Sequence, residues 1–124
     1  MNFLFVFIGG GIGSVLRFCI SLFISKIAIN LPFATLLANF ISCSIYASAI
    51  YIYQQKDFIP GAYKYVLLIG VCGGLSTFST FSYETVELFK QGSYSFALLN
   101  IIGNCLLCFG VFLYLKTKYI ITIQ

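Results

Sequence analysis

Four apolar stretches, each about as long as a bilayer is thick, leave this chain few folds to choose from. They cover residues 3–25, 32–53, 63–89 and 93–115. Crossing the hydrocarbon core takes roughly 20 helical residues. No water reaches that layer to satisfy a bare backbone, so each run predicts a transmembrane helix. The connectors 26–31, 54–62 and 90–92 are short, which predicts antiparallel neighbours in one all-α integral membrane domain over residues 1–124. Only 8% of residues are charged and 60% are hydrophobic, too apolar for a soluble domain of this size. A signal peptide is the competing account of the first run, but no basic segment precedes Phe3 and three more runs follow, so we expect a retained first span.

The polar residues that remain are few enough to exclude several function classes. Cys19, Cys43, Cys72, Cys105 and Cys108 all lie in apolar runs, their number is odd, and the chain has no histidine. Neither a disulfide framework nor a zinc site is expected, and Cys105-x-x-Cys108 lacks the surrounding ligands that metal or redox chemistry requires. Small buried fillers are the simpler reading. A net charge of +4, carried mostly between spans, is too sparse for a nucleic-acid surface. The side holding the N-terminus carries Lys56, Lys64, Lys116 and Lys118, against Lys26 and Lys90 on the other, with Arg17 in the span nearer that second side. So small a bias predicts either an N-terminus weakly held inside or insertion in both orientations. A mixed population would permit an antiparallel dimer.

Within the spans, polar and small residues fall in stripes. Gly9, Gly13, Arg17, Ser21 and Ser25 recur every four residues and should face protein. Gly9-x-x-x-Gly13 reads as close helix packing. For Arg17 two readings stay open: snorkelling to the interface, or an electrostatic role toward an anion or a partner at a vestibule. Thr35, Asn39, Ser42 and Tyr46 of the second span lie within about 60° of one another on a helix. Asn39 by itself would be interhelical glue, yet a row of N–H and O–H donors is what an anion needs when it sheds water. Asn100, Asn104 and Cys108 repeat the pattern in the fourth span at four-residue spacing.

The third span contains Gly73-Gly74-Leu75-Ser76-Thr77-Phe78-Ser79-Thr80-Phe81-Ser82-Tyr83-Glu84. Glycine costs about 1 kcal/mol relative to alanine inside a helix, and Ser and Thr compete for backbone hydrogen bonds. The segment therefore predicts a break in the third helix. At membrane depth such backbone survives only within protein, beside a cavity or around an ion. Phe78 and Phe81 would share a face after the break, with Ser79 and Thr80 beside them. Phenylalanine is ordinarily lipid-facing or core filler, but ring edges are electropositive and, next to hydroxyls, can hold an anion without trapping it. Glu87 reads as surface, Glu84 as a candidate for an entrance.

Taken together, Gly10-x-x-Gly13-x-x-x-Arg17, Thr35-Leu36-x-x-Asn39, Gly73-Gly74-x-Ser76-Thr77-Phe78-Ser79-Thr80-Phe81 and the trailing Glu84 resemble the Fluc family of microbial fluoride channels, also called CrcB proteins. The likeness extends over essentially the whole chain, and the third motif is the most specific. It implies an antiparallel, dual-topology homodimer in the plasma (cell inner) membrane, with two fluoride pores and a structural sodium ion at the dimer centre. The resemblance puts the sodium on main-chain carbonyls of the third-helix break, by position Gly73 and Ser76. It puts the fluoride pathway on Asn39, Phe78, Phe81, Ser79, Thr80 and Asn104, with Arg17 and Glu84 at the vestibule. Ala34 and Ser42 stand where the family commonly has glycine, Ser76-Thr77 replaces a double threonine, and Asn100 and Asn104 stand where members often carry Tyr and then Ser.

The activity so implied is no enzyme's. Fluoride crosses into cells from acid surroundings as neutral HF and ionises in the cytoplasm, so a passive anion pore suffices to empty it and to confer resistance. The membrane potential supplies about 2.3 kcal/mol per charge per 100 mV in the outward direction for an anion. A proton-coupled exporter of the small multidrug type also has four short spans, but it would want a carboxylate in the first span, where this chain has none. A non-conducting partner subunit of a heterodimeric channel is a third reading, opposed by the presence of both phenylalanines and Asn39.

Overall fold

The structure, a computed structural model, describes residues 2–27, 32–56 and 61–123. Among these every regular element is helical. Helix α1 covers Asn2–Ser25 and α2 covers Phe33–Lys56. The third span, Gly61–Lys90, is composite. It starts with the turn α3 (Gly61–Tyr63), continues as a π-helix over Lys64–Cys72, closes with the turn α4 (Gly73–Leu75), and resumes as α5 (Phe78–Lys90). Helix α6, Tyr94–Ile123, runs two turns past residue 115, carrying Lys116 and Lys118 with it. Four of these segments are long and apolar enough to cross a membrane, in the order read from the sequence. The chain is a multi-pass membrane protein.

The turn between α5 and α6 shows how local sequence sets a boundary. Gly92 has φ 73°, a conformation that L side chains seldom adopt. Its N–H donates to the Phe89 carbonyl at 3.0 Å, and the Ser93 N–H donates to the Leu88 carbonyl at 2.9 Å. That is a Schellman cap, satisfying carbonyls that the end of α5 would otherwise leave bare. Lys90 pairs with Glu87 at 2.9 Å in the same last turn.

The third span lies in the middle of the bundle, with α1 on one side and α2 and α6 on the other. Against α1 the contact is backbone on backbone. A Cβ added at Gly9 or Gly13 would run into the Val66 or Val71 carbonyl, one at Gly74 into that of Gly10, and one at Gly70 would come within 2.7 Å of the Gly9 Cα. Only glycine permits that approach. Elsewhere the interior is built from small side chains, with Ala38, Ala47, Cys72 and Ala97 buried and Leu75 the large residue most completely enclosed. Mixed among them are the buried polar residues Thr35, Ser42, Thr77, Thr85, Asn100 and Asn104. Large apolar side chains such as Phe3, Phe7, Phe109 and Leu113 instead cover the outside, as expected when the surroundings are lipid.

Candidate functional site

The regular path of the third span stops at Leu75. The last helical hydrogen bond runs from the Ser76 N–H to the Cys72 carbonyl at 3.0 Å. Ser76 and Thr77 are then extended, with ψ of 155° and 120°. In an unbroken helix the Thr77 N–H would close onto Gly73; here it donates to Asn39 Oδ1 at 2.8 Å. The carbonyls of Gly73, Gly74, Leu75 and Ser76 are thus the four that a helix end leaves without an intrahelical partner. The Cys72 carbonyl, one turn earlier, also accepts from Ser42 Oγ at 2.8 Å and Ser76 Oγ at 2.9 Å. The Ser76 hydroxyl proton is committed to that carbonyl, while the Ser76 carbonyl is among the four left without a helical partner.

Asn39 grips Thr77 at both of its backbone polar groups, because its Nδ2 also reaches the Thr77 carbonyl at 3.4 Å. From there the amides continue across the bundle. Asn39 Nδ2 donates to Asn104 Oδ1 at 2.9 Å, and Asn104 Nδ2 donates to Asn100 Oδ1 and to its carbonyl, both at 3.0 Å. Asn100 Nδ2 donates to Thr85 Oγ1 at 2.9 Å, and Thr85 Oγ1 donates to the Phe81 carbonyl at 2.7 Å. In a membrane interior this satisfies groups for which lipid offers no partner.

Helix α5 begins beside this chain of bonds. Thr77 is its N-cap, Oγ1 accepting from the Thr80 N–H at 3.2 Å. The same oxygen lies 3.2 Å from Ser79 Oγ and 3.1 Å from Thr80 Oγ1, so three hydroxyls cluster at the positive end of the helix. Phe78 and Phe81 flank them with ring centroids 5.6 Å apart and planes tilted by 46°. Phe78 is 80% exposed, whereas Phe81 is half-buried. Rings, hydroxyls and a helix N-terminus together make a weakly electropositive surface with no full charge.

Farther along α5, Glu84 Oε1 accepts from Thr35 Oγ1 at 2.7 Å while Oε2 is buried with no partner among the described residues. Glu84 lines a cavity of about 500 Å³ together with Ser21, Ser25, Ala34, Tyr83 and Glu87. The stripe on α1 is therefore divided in use: Gly9 and Gly13 pack on the third span, and Ser21 and Ser25 open onto the cavity. Arg17 is half-buried and makes no hydrogen bond or ion pair among the described residues.

A profile of the family described as "CrcB-like protein, Camphor Resistance (CrcB)" matches residues 4–115. The chain belongs to the CrcB family. Its relatives include the protein named fluoride-specific ion channel FluC of Serratia proteamaculans (strain 568), 41% identical over 103 residues, which cover 83% of this chain and 81% of the relative. The protein of the same name from Klebsiella pneumoniae (strain 342) is 40% identical over 106 residues, 86% of this chain and 84% of the relative. That of Escherichia coli O139:H28 is likewise 40% identical over 106 residues.

Against this CrcB background, the positions singled out from sequence fall into two groups. Asn39, Asn104, Phe78, Phe81, Ser79, Thr80, Gly73 and Ser76 gather at the interruption, and Glu84 stands at the cavity. Arg17 is tied to none of them by a hydrogen bond. The four-residue stripe on α2 disperses its contacts: Thr35 goes to Glu84, Asn39 to Thr77, Ser42 to Cys72, while the Tyr46 ring meets Phe112 edge-on at 5.9 Å. Sequence reasoning missed Thr77 as a cap and Thr85 as a link. The Thr77-x-x-Thr80 spacing before a helical run was the available signal for the first. Nothing local marks Thr85, whose partner lies on another helix.

Proposed function

We propose that this protein is a fluoride-selective channel through which cytoplasmic fluoride leaves passively, conferring fluoride resistance. The observation that carries the reading is the cluster of Thr77, Ser79 and Thr80 hydroxyls at the start of α5 beside the tilted Phe78–Phe81 pair. Fluoride gives up water only where donors replace it in several weak steps, and a full charge would hold it too firmly for conduction. Hydroxyls and ring edges supply such steps. Asn39 adds one N–H that is held only loosely, at 3.4 Å from the Thr77 carbonyl. Asn104 borders the same path. Arg17 and Glu84 serve at the vestibule, Arg17 by raising local anion concentration and Glu84 at the cavity mouth.

The working unit is an antiparallel, dual-topology homodimer in the plasma (cell inner) membrane. Supporting this are the near-even lysine count, a lone bundle too small to enclose a pore, and the outward exposure of Phe78. Gly73 adds to it. A methyl group built there would touch nothing within 4 Å, so its own subunit gives no reason for a glycine. The break in the third helix fits a structural sodium ion at the dimer centre, for which Gly73 and Ser76 would contribute carbonyl oxygens. Hard cations prefer such oxygen donors, and these carbonyls have lost their helical partners. Bound there, the ion supplies positive charge that offsets the facing carbonyl dipoles.

Efflux from liposomes containing this chain alone tests the function: fluoride should leave rapidly while chloride stays. No fluoride flux, or equal chloride flux, overturns it. A tag on one terminus should be found on both faces of the membrane, and a single orientation in cells that owe fluoride resistance to this protein overturns the dual-topology arrangement.

A further inference from the structure

The bonds from Thr77 through Asn39, Asn104, Asn100 and Thr85 to Phe81 have a fixed direction, and both ends impose it. A backbone N–H can only donate, so Asn39 must turn its oxygen to Thr77 and its nitrogen to Asn104. Asn104 must then present its oxygen to Asn39 and its nitrogen to Asn100, which in turn presents nitrogen to Thr85. At the far end a carbonyl can only accept, so Thr85 gives its proton to Phe81. Reversing any one amide would set two donors against each other. Both ends rest on one short stretch, Thr77–Phe81, which carries the two phenyl rings and the hydroxyls between them.

We propose that Thr85 and Asn100 are positioning residues for the ion pathway, acting through Asn104 to hold the Asn39 amide in the orientation that receives Thr77, and through the Phe81 carbonyl to hold the first turn of α5. The inference rests on the fluoride reading above. Thr85 and Asn100 are buried at 7% and 4% exposure, so they act at one remove. Asn104 commits both of its amide hydrogens to Asn100, so its part is to transmit orientation. A chain of hydrogen bonds polarises along its length, which makes the terminal acceptor matter to the donor at the other end.

Thr85→Val keeps the shape of the side chain and removes both links, whereas Thr85→Ser keeps them. Two measurements are compared: fluoride efflux from liposomes, and hydrogen exchange at the Thr77 amide in detergent. Thr85→Val should lower efflux about tenfold and raise Thr77 exchange by a similar factor, with Thr85→Ser within twofold of wild type in both. Wild-type efflux and wild-type Thr77 protection in Thr85→Val overturn the proposal, and so does lost efflux with Thr77 exchange unmoved, the pattern of a merely structural residue. If Thr85→Val yields no folded protein, Thr85→Cys, with a weak thiol of similar shape, should shift both quantities in the same direction by about threefold, and no shift overturns the proposal. A wild-type protein that conducts no fluoride defeats the channel reading, and Thr77 exchange in the variants then decides the positioning role by itself.

Discussion

The two sides of the third span are held by opposite means. Toward α1, Gly9, Gly13, Gly70 and Gly74 bring backbone against backbone, and none of the side-chain hydrogen bonds among the described residues crosses that seam. Toward α2 and α6, Thr35, Asn39 and Ser42 of α2 and Asn100 of α6 meet the span through hydrogen bonds, those of Asn39 and Ser42 to its backbone. The first side works by shape. Lipid is as apolar as any side chain, so helices associate there through dispersion, and close approach is what dispersion rewards. The second side works by satisfying polar groups that an interrupted helix releases. An interruption can exist in this fold because one flank is rigid enough to locate it and the other polar enough to accept it.

Breaking the shape-held side should have the largest effect. Gly13→Val forces a side chain into the Val71 carbonyl and the Leu75 N–H, the latter 2.8 Å from the first added carbon. Overpacking of this kind costs about 3 kcal/mol where neither backbone can retreat. We expect no folded protein in detergent by size-exclusion chromatography. Gly11→Ala, with nothing within 4 Å of the new carbon, is the control and should leave the melting temperature within about 2 °C. Equal behaviour of the two would dissolve the distinction between the sides.

Next come the rings that the polar side holds in place. Phe78→Ile and Phe81→Ile keep bulk and apolarity, so packing should cost less than about 1.5 kcal/mol and the folded protein should survive. Losing the electropositive ring edge should raise the barrier by about 3 kcal/mol, a roughly hundredfold slower fluoride efflux. Full efflux from both variants would return the pair to the role of filler.

Asn39→Leu probes the polar side itself. It leaves the Thr77 N–H and the Asn104 oxygen without their partner, yet hydrogen bonds between membrane helices average only about 0.6 kcal/mol, so the folded protein should remain recoverable. Efflux should fall at least tenfold. Unchanged efflux would mean that the interruption holds its shape without α2.

The smallest effect belongs to Ser76→Ala. Among the described residues the Ser76 hydroxyl bonds only the Cys72 carbonyl, which Ser42 also serves, so efflux and melting temperature should change little. Removing sodium should do more than this substitution. If Ser76→Ala abolished transport in a folded protein that is indifferent to sodium, the proposed carbonyl assignment would be wrong.

Much of this was legible in the amino-acid sequence, and for identifiable reasons. Run length fixes the number of spans, since a bilayer imposes one dimension on every crossing. The motif from Gly73 to Phe81 marks both the family and the site, because glycine and hydroxyl residues disfavour a hydrophobic helix locally, whatever packs around them. Gly9-x-x-x-Gly13 announces a close contact in the same way. What a periodicity cannot reveal is the partner. Thr35, Asn39 and Ser42 share one face of α2, yet the tertiary structure sends them to a carboxylate, a capping position and the last helical carbonyl before the interruption, because the third span passes that face with its interruption alongside. Thr85 and Asn100 are ordinary residues of two different helices until the antiparallel packing of α5 on α6 brings them to 2.9 Å. Composition and local backbone preference are properties of the chain taken a few residues at a time. The direction of a hydrogen-bond chain through three helices exists only once those helices have met.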